Sequence, residues 1–362
     1  MKHKVIAALA LAALLPAGAL AQTSQRITAG KAQDYGLVYS LPLTALDIYI
    51  EAELTTEKPG DFHNYAKRYL GITDAVTKEK RSANVKSVTI VPRGVADPDE
   101  RWVAQFKSGS TPFMILSPEG VPLAINTETP AEIIEPDIPE AVPAGPTALE
   151  TPEAAQAVTA DMARSSSTGK KAELASQRIF ELREMRSDIL SGQADNMPTD
   201  GAAMQLALSN LAAQEAALTA MFTGTRATST VVEKFTFMPD STGVTDRVIA
   251  RLSAVDGLVD ADNLAGAPIT LTLKIIEGGK VPVNEKGEEK SFPKGGVAYC
   301  VPGTAEVSID YAGRRLAKKT VELAQLGIVF GLNPALFTDK KEPSKVLFDP
   351  ATGAILTLGP AN

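Results

Sequence analysis

From Ala45 to Leu54 apolar and polar residues alternate strictly, with Leu46, Ile48, Ile50 and Ala52 on one face and Asp47, Tyr49, Glu51 and Glu53 on the other. A period of two predicts a strand with one face in the core and one in water. The apolar run Leu37–Leu41 precedes it, and Pro42 is expected to break the chain between them. Pro59-Gly60-Asp61 then reads as a turn, with Asp61 placed to cap a helix. Phe62, Tyr65, Ala66, Tyr69 and Leu70 follow at helical spacing, and Gly71 is expected to end it. Further strands are predicted near Val85–Val91, Arg101–Phe106, Pro112–Leu116 and Val121–Ile125, the last two joined through Ser117-Pro118-Glu119-Gly120.

The period then changes to 3.6. In Lys170–Ser191, Ala175, Ile179, Leu182, Met185 and Ile189 line one stripe, while Arg178, Glu181, Arg183, Glu184 and Arg186 face elsewhere. Gly192 closes this helix. A second helix, with Met204, Leu208, Leu211, Leu218 and Met221 as its stripe, runs to about Met221 and is stopped by Thr223-Gly224-Thr225. A short loop between two helices predicts an antiparallel αα-hairpin. From Thr228 the signals return to β: Val231–Phe237, Val248–Leu252, Ile269–Ile276, Val297–Val301, Ala305–Tyr311, Lys318–Leu323, Ile328–Leu332, Lys345–Phe348 and Ala354–Leu358. The fold class is therefore α+β, with mainly antiparallel β units at both ends and a central αα-hairpin.

A repeat links the two ends. Gly36-Leu37-Val38-Tyr39-Ser40-Leu41-Pro42-Leu43-Thr44-Ala45 matches Gly296-Val297-Ala298-Tyr299-Cys300-Val301-Pro302-Gly303-Thr304-Ala305 at Gly, Tyr, Pro, Thr and Ala without a gap. A second echo sets Pro118-Glu119-Gly120-Val121 against Pro350-Ala351-Thr352-Gly353-Ala354. These read as two related β units. Downstream the apolar phase differs, Leu46 and Ile48 against Val307 and Ile309, which requires a bulge or a one-residue slip. Chance likeness of turn residues is the plainer reading to be weighed against duplication.

The organisation follows. Residues 1–21 read as a signal peptide, with Lys2 and Lys4 at the start, an apolar run Val5–Leu15 and Ala19-Leu20-Ala21 before the cleavage point. That implies an exported protein, periplasmic by the character of the leader, with cell-surface or secreted placement open. The remaining roughly 340 residues suit about two domains. An N-terminal β-rich domain with one short helix is assigned to 22–126, a Pro/Glu-rich linker or wrapping arm to 127–169, the helical hairpin to 170–224 and a C-terminal β-rich domain to 225–362. No transmembrane span is expected after the leader, since none of the later apolar stretches approaches about 20 residues.

Composition narrows the chemistry. The formal net charge is −7, and two units more negative without Lys2 and Lys4, which argues against nucleic acid. Beyond the leader the chain holds one histidine, His63, and one cysteine, Cys300. No metal site, cofactor or catalytic set is assigned. His63 on a short helix is expected to be a hydrogen-bond partner, because no second imidazole or thiol completes a metal site. Cys300 lies in an apolar strand and is expected to be a small buried residue. The carboxylate loops Asp195–Asp200 and Asp256–Asn263 lack the order of a calcium-binding loop and are expected to form turns and caps, with Thr199 or Asp200 capping the second helix. Lys280–Lys294, bounded by glycine pairs, reads as an exposed excursion. Trp102 is the single tryptophan, a poor endowment for a sugar site. Asp240-Ser241-Thr242 fits a short pattern for O-glycan attachment in exported proteins, with Ser241 as acceptor. A turn after Pro239 explains it equally well.

Tyr39-Ser40-Leu41-Pro42 with Thr44, Lys58-Pro59-Gly60 through Tyr69-Leu70-Gly71-Ile72, Glu181–Gly192, Asp195-Asn196-Met197-Pro198 and Phe348-Asp349-Pro350-Ala351-Thr352-Gly353 together resemble an exported Bacteroidota family carrying a domain of unknown function, number 4831. The resemblance covers nearly the whole chain after the leader. It implies a source and a compartment and brings no catalytic residues. The leading expectation is a non-catalytic cell-envelope protein acting through protein-protein contacts, with envelope or outer-membrane proteins as partners and an outer-membrane-associated complex as the natural setting. Leu182, Met185, Leu208 and Leu211 are the candidate partner surface, set against the alternative that this stripe packs on the chain's own β domain. The alternative function is a carbohydrate-binding or carboxylate-dependent glycan-active protein.

Overall fold

The computed structural model describes residues 36–105, 113–131, 136–195, 201–339 and 342–361. The chain starts with two long strands, β1 (Gly36–Lys58) and β2 (Lys80–Gln105). Between them lie one 3-10 turn (His63–Tyr65) and α1 (Ala66–Leu70), which ends at Gly71 as expected. Two short strands follow, β3 (Met114–Leu116) and β4 (Pro122–Ile125). The helices come next: α2 (Pro152–Ala157), α3 (Ala160–Arg164), α4 (Thr168–Ser191) and α5 (Gly201–Thr223). Then come β5 (Thr225–Phe237), β6 (Val244–Ser253), β7 (Gly257–Asp260), β8 (Ala267–Glu277), β9 (Val297–Tyr311) and β10 (Arg314–Leu332). The short α6 (Ala335–Thr338), β11 (Ser344–Phe348) and β12 (Ile355–Pro360) close the chain.

The strands form three antiparallel sheets, ordered β2-β1-β5, β10-β9-β8-β6-β7 and β12-β11-β4-β3. The first two face each other. Leu46, Ile48, Ile50 and Ala52, the apolar set of the alternating strand, meet Leu271, Leu273, Val307 and Ile309 across the interface. A second core lies beyond it, where Tyr39 and Leu41 of β1 join Ala298 and Phe330 of the β9–β10 hairpin and Val346 and Phe348 of the third sheet.

Pro42 and Pro302 do not end their strands. Pro302 lies at a register irregularity and Pro42 directly follows one: Leu41 faces the unpaired stretch Asp97–Glu100 of β2, and Pro302 faces Ala324–Gly327. A proline at a bulge removes no ladder hydrogen bond, so the strand bends there and passes from one core to the other. The two bulges stand one residue out of step in the aligned repeats, and that slip brings Leu46 and Ile48 into phase with Val307 and Ile309. The second echo corresponds too. Ser40 N donates to the Gly120 carbonyl at 3.0 Å, and Cys300 N donates to the Gly353 carbonyl at 3.2 Å. Both glycines have positive φ, 88° and 72°, as tight turns entering β4 and β12 require. The sequence repeat thus has a structural counterpart at both ends.

The β segments assigned to 22–126 and 225–362 are not separate bodies. β5 pairs along β1 from Leu46↔Phe237 to Lys58↔Thr225, and β11 pairs with β4 at Val346↔Ile125. The physical reason is edge satisfaction: β1 and β4 each offer a second ladder side, and the C-terminal strands supply it. The linker assigned to 127–169 also has structure. Its second half forms α2 and α3, and Ala154, Ala157 and Met162 are buried there. Thr159 caps α3 by accepting from Met162 N at 3.3 Å. Asp61 does not cap its helix. The turn is closed by the Gly60 carbonyl, which accepts from His63 N at 3.1 Å. The capping residues expected at Thr199 or Asp200 lie outside the described residues.

A candidate interaction surface on the helical hairpin

The root of the hairpin is a third core. Phe62, Ala66, Ala157, Met162, Ala172, Ala175, Ile179, Leu182, Leu218 and Phe222 pack together, with Phe62 and Phe222 ring centroids 5.4 Å apart. The stripe therefore packs on its own hairpin partner and on the short helices, where the alternative had placed it on a β domain. Leu182 is wholly enclosed. Leu211 and Leu208 are half-buried, and Met185 is 37% exposed.

Past this root the hairpin has no buried residue among those described. The last one on α4 is Leu182 and the first on α5 is Ala217. The stretch between carries Leu190 at 67% exposure and Leu206 at 63%, with Phe180 beside the root at 52%. From Gly201 to Gln214 α5 holds no charged residue at all, and Ala202, Ala203, Met204, Ala207, Ala212 and Ala213 accompany its leucines. Apolar composition of this kind normally marks a helix that is covered. Several charges of the hairpin are paired within it. Arg183 Nε and Arg186 reach Glu215 at 2.6 and 2.7 Å, clamping α4 to α5, and the Arg183 guanidinium lies 5.6 Å from the centre of the Phe180 ring. The arrangement leaves the α5 side of the tip apolar and uncharged from Gly201 to Gln214, beyond the buried root.

The remaining candidates sit in turns and strands. Ser241 is exposed in a bend, and Asp240 Oδ1 accepts from Thr242 N at 2.7 Å and Thr242 Oγ1 at 2.6 Å. Those bonds hold the Asp240 carboxyl below its usual range. The same turn borders a groove of about 340 Å³ lined by Met238, Thr242 and Arg247. His63 Nδ1 is 2.8 Å from the Gly60 carbonyl, so it pins its own turn. Cys300 is buried at the β9 bulge, with Sγ 3.7 Å from the Ala324 carbonyl. Burial first, and the charge of Glu322 second, push its thiol up to about 12. In the Asp256–Asn263 stretch, Gly257–Asp260 is strand β7, and Asp256 accepts from Ser253 Oγ at 3.2 Å. Of Asp195–Asp200 only Asp195 is among the described residues. The Lys280–Lys294 excursion is anchored, because Phe292 stacks on Trp102 with centroids 5.9 Å apart and planes 19° apart.

Two buried polar centres were not foreseen. Asp47, on the face expected to meet water, is 4% exposed and takes hydrogen bonds from Arg93 Nε at 2.8 Å and Thr236 Oγ1 at 2.7 Å. Desolvation opposes its charge, but those bonds and the charges of Arg93 and Lys234 outweigh it, so the carboxyl sits below its usual range. Thr44 accepts from Ala324 N at 3.0 Å, donates to the Ala351 carbonyl at 2.9 Å and is bracketed by Gln325, whose amide also reaches the Pro239 carbonyl at 3.0 Å. Only the recurrence of Thr44 as Thr304 in the repeat hinted at a special position.

Three antiparallel sheets with a projecting helical hairpin define an α+β protein whose most conspicuous surface is apolar and helical. The chain belongs to the family described as Domain of unknown function (DUF4831), whose profile matches residues 35–356. Comparison with curated proteins and with solved structures gives no match. No helix among the described residues is long and apolar enough to cross a membrane.

Proposed function

We propose that the protein is a non-catalytic component of a bacterial cell envelope, exported by its leader into the periplasm of a Bacteroidota-type cell, where it works through protein-protein contacts in an outer-membrane-associated complex. The observation that carries this reading is the hairpin tip. An uncharged α5 face projecting from its own core leaves apolar surface in water, and a partner that covers it recovers that cost. Leu206 and Leu190 are the residues to change, because their side chains lie mostly in water and a change there is expected to leave the fold intact. In a mild-detergent pull-down of tagged protein from native envelopes, the wild type should retain a stoichiometric partner, and Leu206→Glu with Leu190→Glu should lose it. Full retention by a folded double variant would remove the hairpin from the reading. Ser241 is proposed as an O-glycan acceptor on the strength of its exposed turn. Intact mass of protein from its native host should drop to the unmodified value with Ser241→Ala, and an unmodified wild type would refute it.

A further inference from the structure

β5 is the outer strand of the β2-β1-β5 sheet, and one residue of the proline-rich arm lies against it. Val142 N donates to the Thr230 carbonyl at 2.9 Å, and Thr230 N donates to the Val142 carbonyl at 2.7 Å. In an antiparallel ladder the groups of alternate residues face the same way, so Arg226, Thr228, Val232, Lys234 and Thr236 turn theirs outward with Thr230. Among the described residues, Val142 supplies the one β bridge on that side. Its side chain is 58% exposed, so at this residue two backbone hydrogen bonds, with little packing, hold the arm against β5.

The arm's sequence explains why it fits there. Pro143 biases Val142 toward extended geometry, which lowers the cost of pairing. Pro139 and Pro143 occupy positions whose N–H would point away from β5, so the arm's outer side lacks donors at both. The arm pairs on one side and offers a poor template on the other, which is how edges are kept from adding strands. Lys234 stands beside this edge with a side chain 49% exposed, and Asp47, the carboxylate paired with it, is 3.8 Å away.

We propose that the outer edge of β5 is a docking site for a proline-free extended strand of a partner protein, added antiparallel with an acidic residue opposite Lys234, and that the Val142 segment is its displaceable guard. The guard shows the geometry the edge accepts: an extended residue giving and taking one hydrogen bond, its side chain turned to solvent. A longer strand repeats that exchange at Thr228 and Val232 and gains what the arm forgoes. The site is separate from the hairpin tip and does not depend on it.

The probe is a fluorescein-labelled peptide of residues 137–145 carrying Ile138→Glu, Pro139→Thr and Pro143→Thr, in which the first change sets a carboxylate opposite Lys234. Titrations use the full chain as wild type, as Val142→Pro, which removes the guard's donor, and as Val142→Ala, which keeps both backbone bonds. Val142→Pro should bind about tenfold more tightly than the other two. Bound peptide should slow amide exchange at Val232 and Lys234. No binding to folded Val142→Pro, equal affinity for all three, or binding with exchange across 226–236 unchanged would overturn the proposal. A second measurement needs no variant. The wild-type Thr230 amide should exchange far faster than the β1–β5 ladder amides, because the guard opens locally. Equal protection would show that the arm is no guard.

Discussion

At the scale of single residues, Asp47 shows how a polar position on an alternating strand becomes structural. Alternation placed it correctly on the face opposite Leu46 and Ile48. What alternation does not contain is the cross-strand company: Thr236 on β5 and Arg93 on β2 close over the carboxylate from both sides. Removing the acceptor strands their donors, so Asp47→Ala should cost about 2 kcal/mol in urea unfolding. The depressed carboxyl adds a pH signature. A carboxyl with a lower pKa folded than unfolded stabilises fully above its unfolded value, near 3.8, and that contribution fades as pH falls through the folded value. Wild-type stability should therefore drop below about pH 4 with a steeper slope than that of Asp47→Asn. Matching slopes in acid titrations would show that the carboxyl is unpaired in solution. Cys300 and His63 were legible for the opposite reason. Their neighbours in sequence already describe their surroundings, an apolar strand and a turn.

At the scale of elements, periodicity located the hairpin within a few residues, with α4 ending at Gly192 and α5 stopping at Thr223. It did not say how much of each stripe is covered. Ile179 and Met185 belong to one stripe by spacing, yet one is enclosed and the other 37% exposed, because α2, α3 and the Phe62 turn reach only the root. The same chemical change should have different costs at root and tip. Leu182→Ala opens a hole in the helical core and should lose about 2–5 kcal/mol. Leu206→Ala removes a side chain that is mostly in water and should stay within about 0.5 kcal/mol. Denaturant midpoints of the two variants test this directly, and comparable losses would mean that the tip is covered within the chain. The strands show a parallel limit. Pro42 and Pro302 read as breaks because proline normally leaves a ladder, whereas a bulge beside Pro42 and one opposite Pro302 let β1 and β9 run on.

At the scale of the whole molecule, the sequence shows two β-rich ends and the structure shows that they are one interleaved assembly. Local patterns cannot reveal this, since a strand's apolar face records that it has a partner without naming which. Leu46–Ala52 is covered by strands more than two hundred residues away, and Thr44 is held by Ala324, Gln325 and Ala351, contacts that no window along the chain contains. The interleaving has a consequence for folding. A fragment of residues 36–126 retains β1 through β4 but loses β5 along one side of β1, β11 beside β4, and the sheet that covers Leu46, Ile48 and Ile50. A domain must bring its own core to fold alone, and this fragment leaves its apolar face open. Expressed alone it should lack a dispersed amide spectrum and a cooperative thermal transition. Mixed with residues 127–361 it should regain both if the two pieces re-form the sheets. A fragment that folds by itself would show that the N-terminal unit carries its own core and that the shared sheets are a secondary association. Failure of both fragments alone, with recovery on mixing, would fix the three sheets as one cooperative body from which the hairpin tip and the guarded β5 edge project.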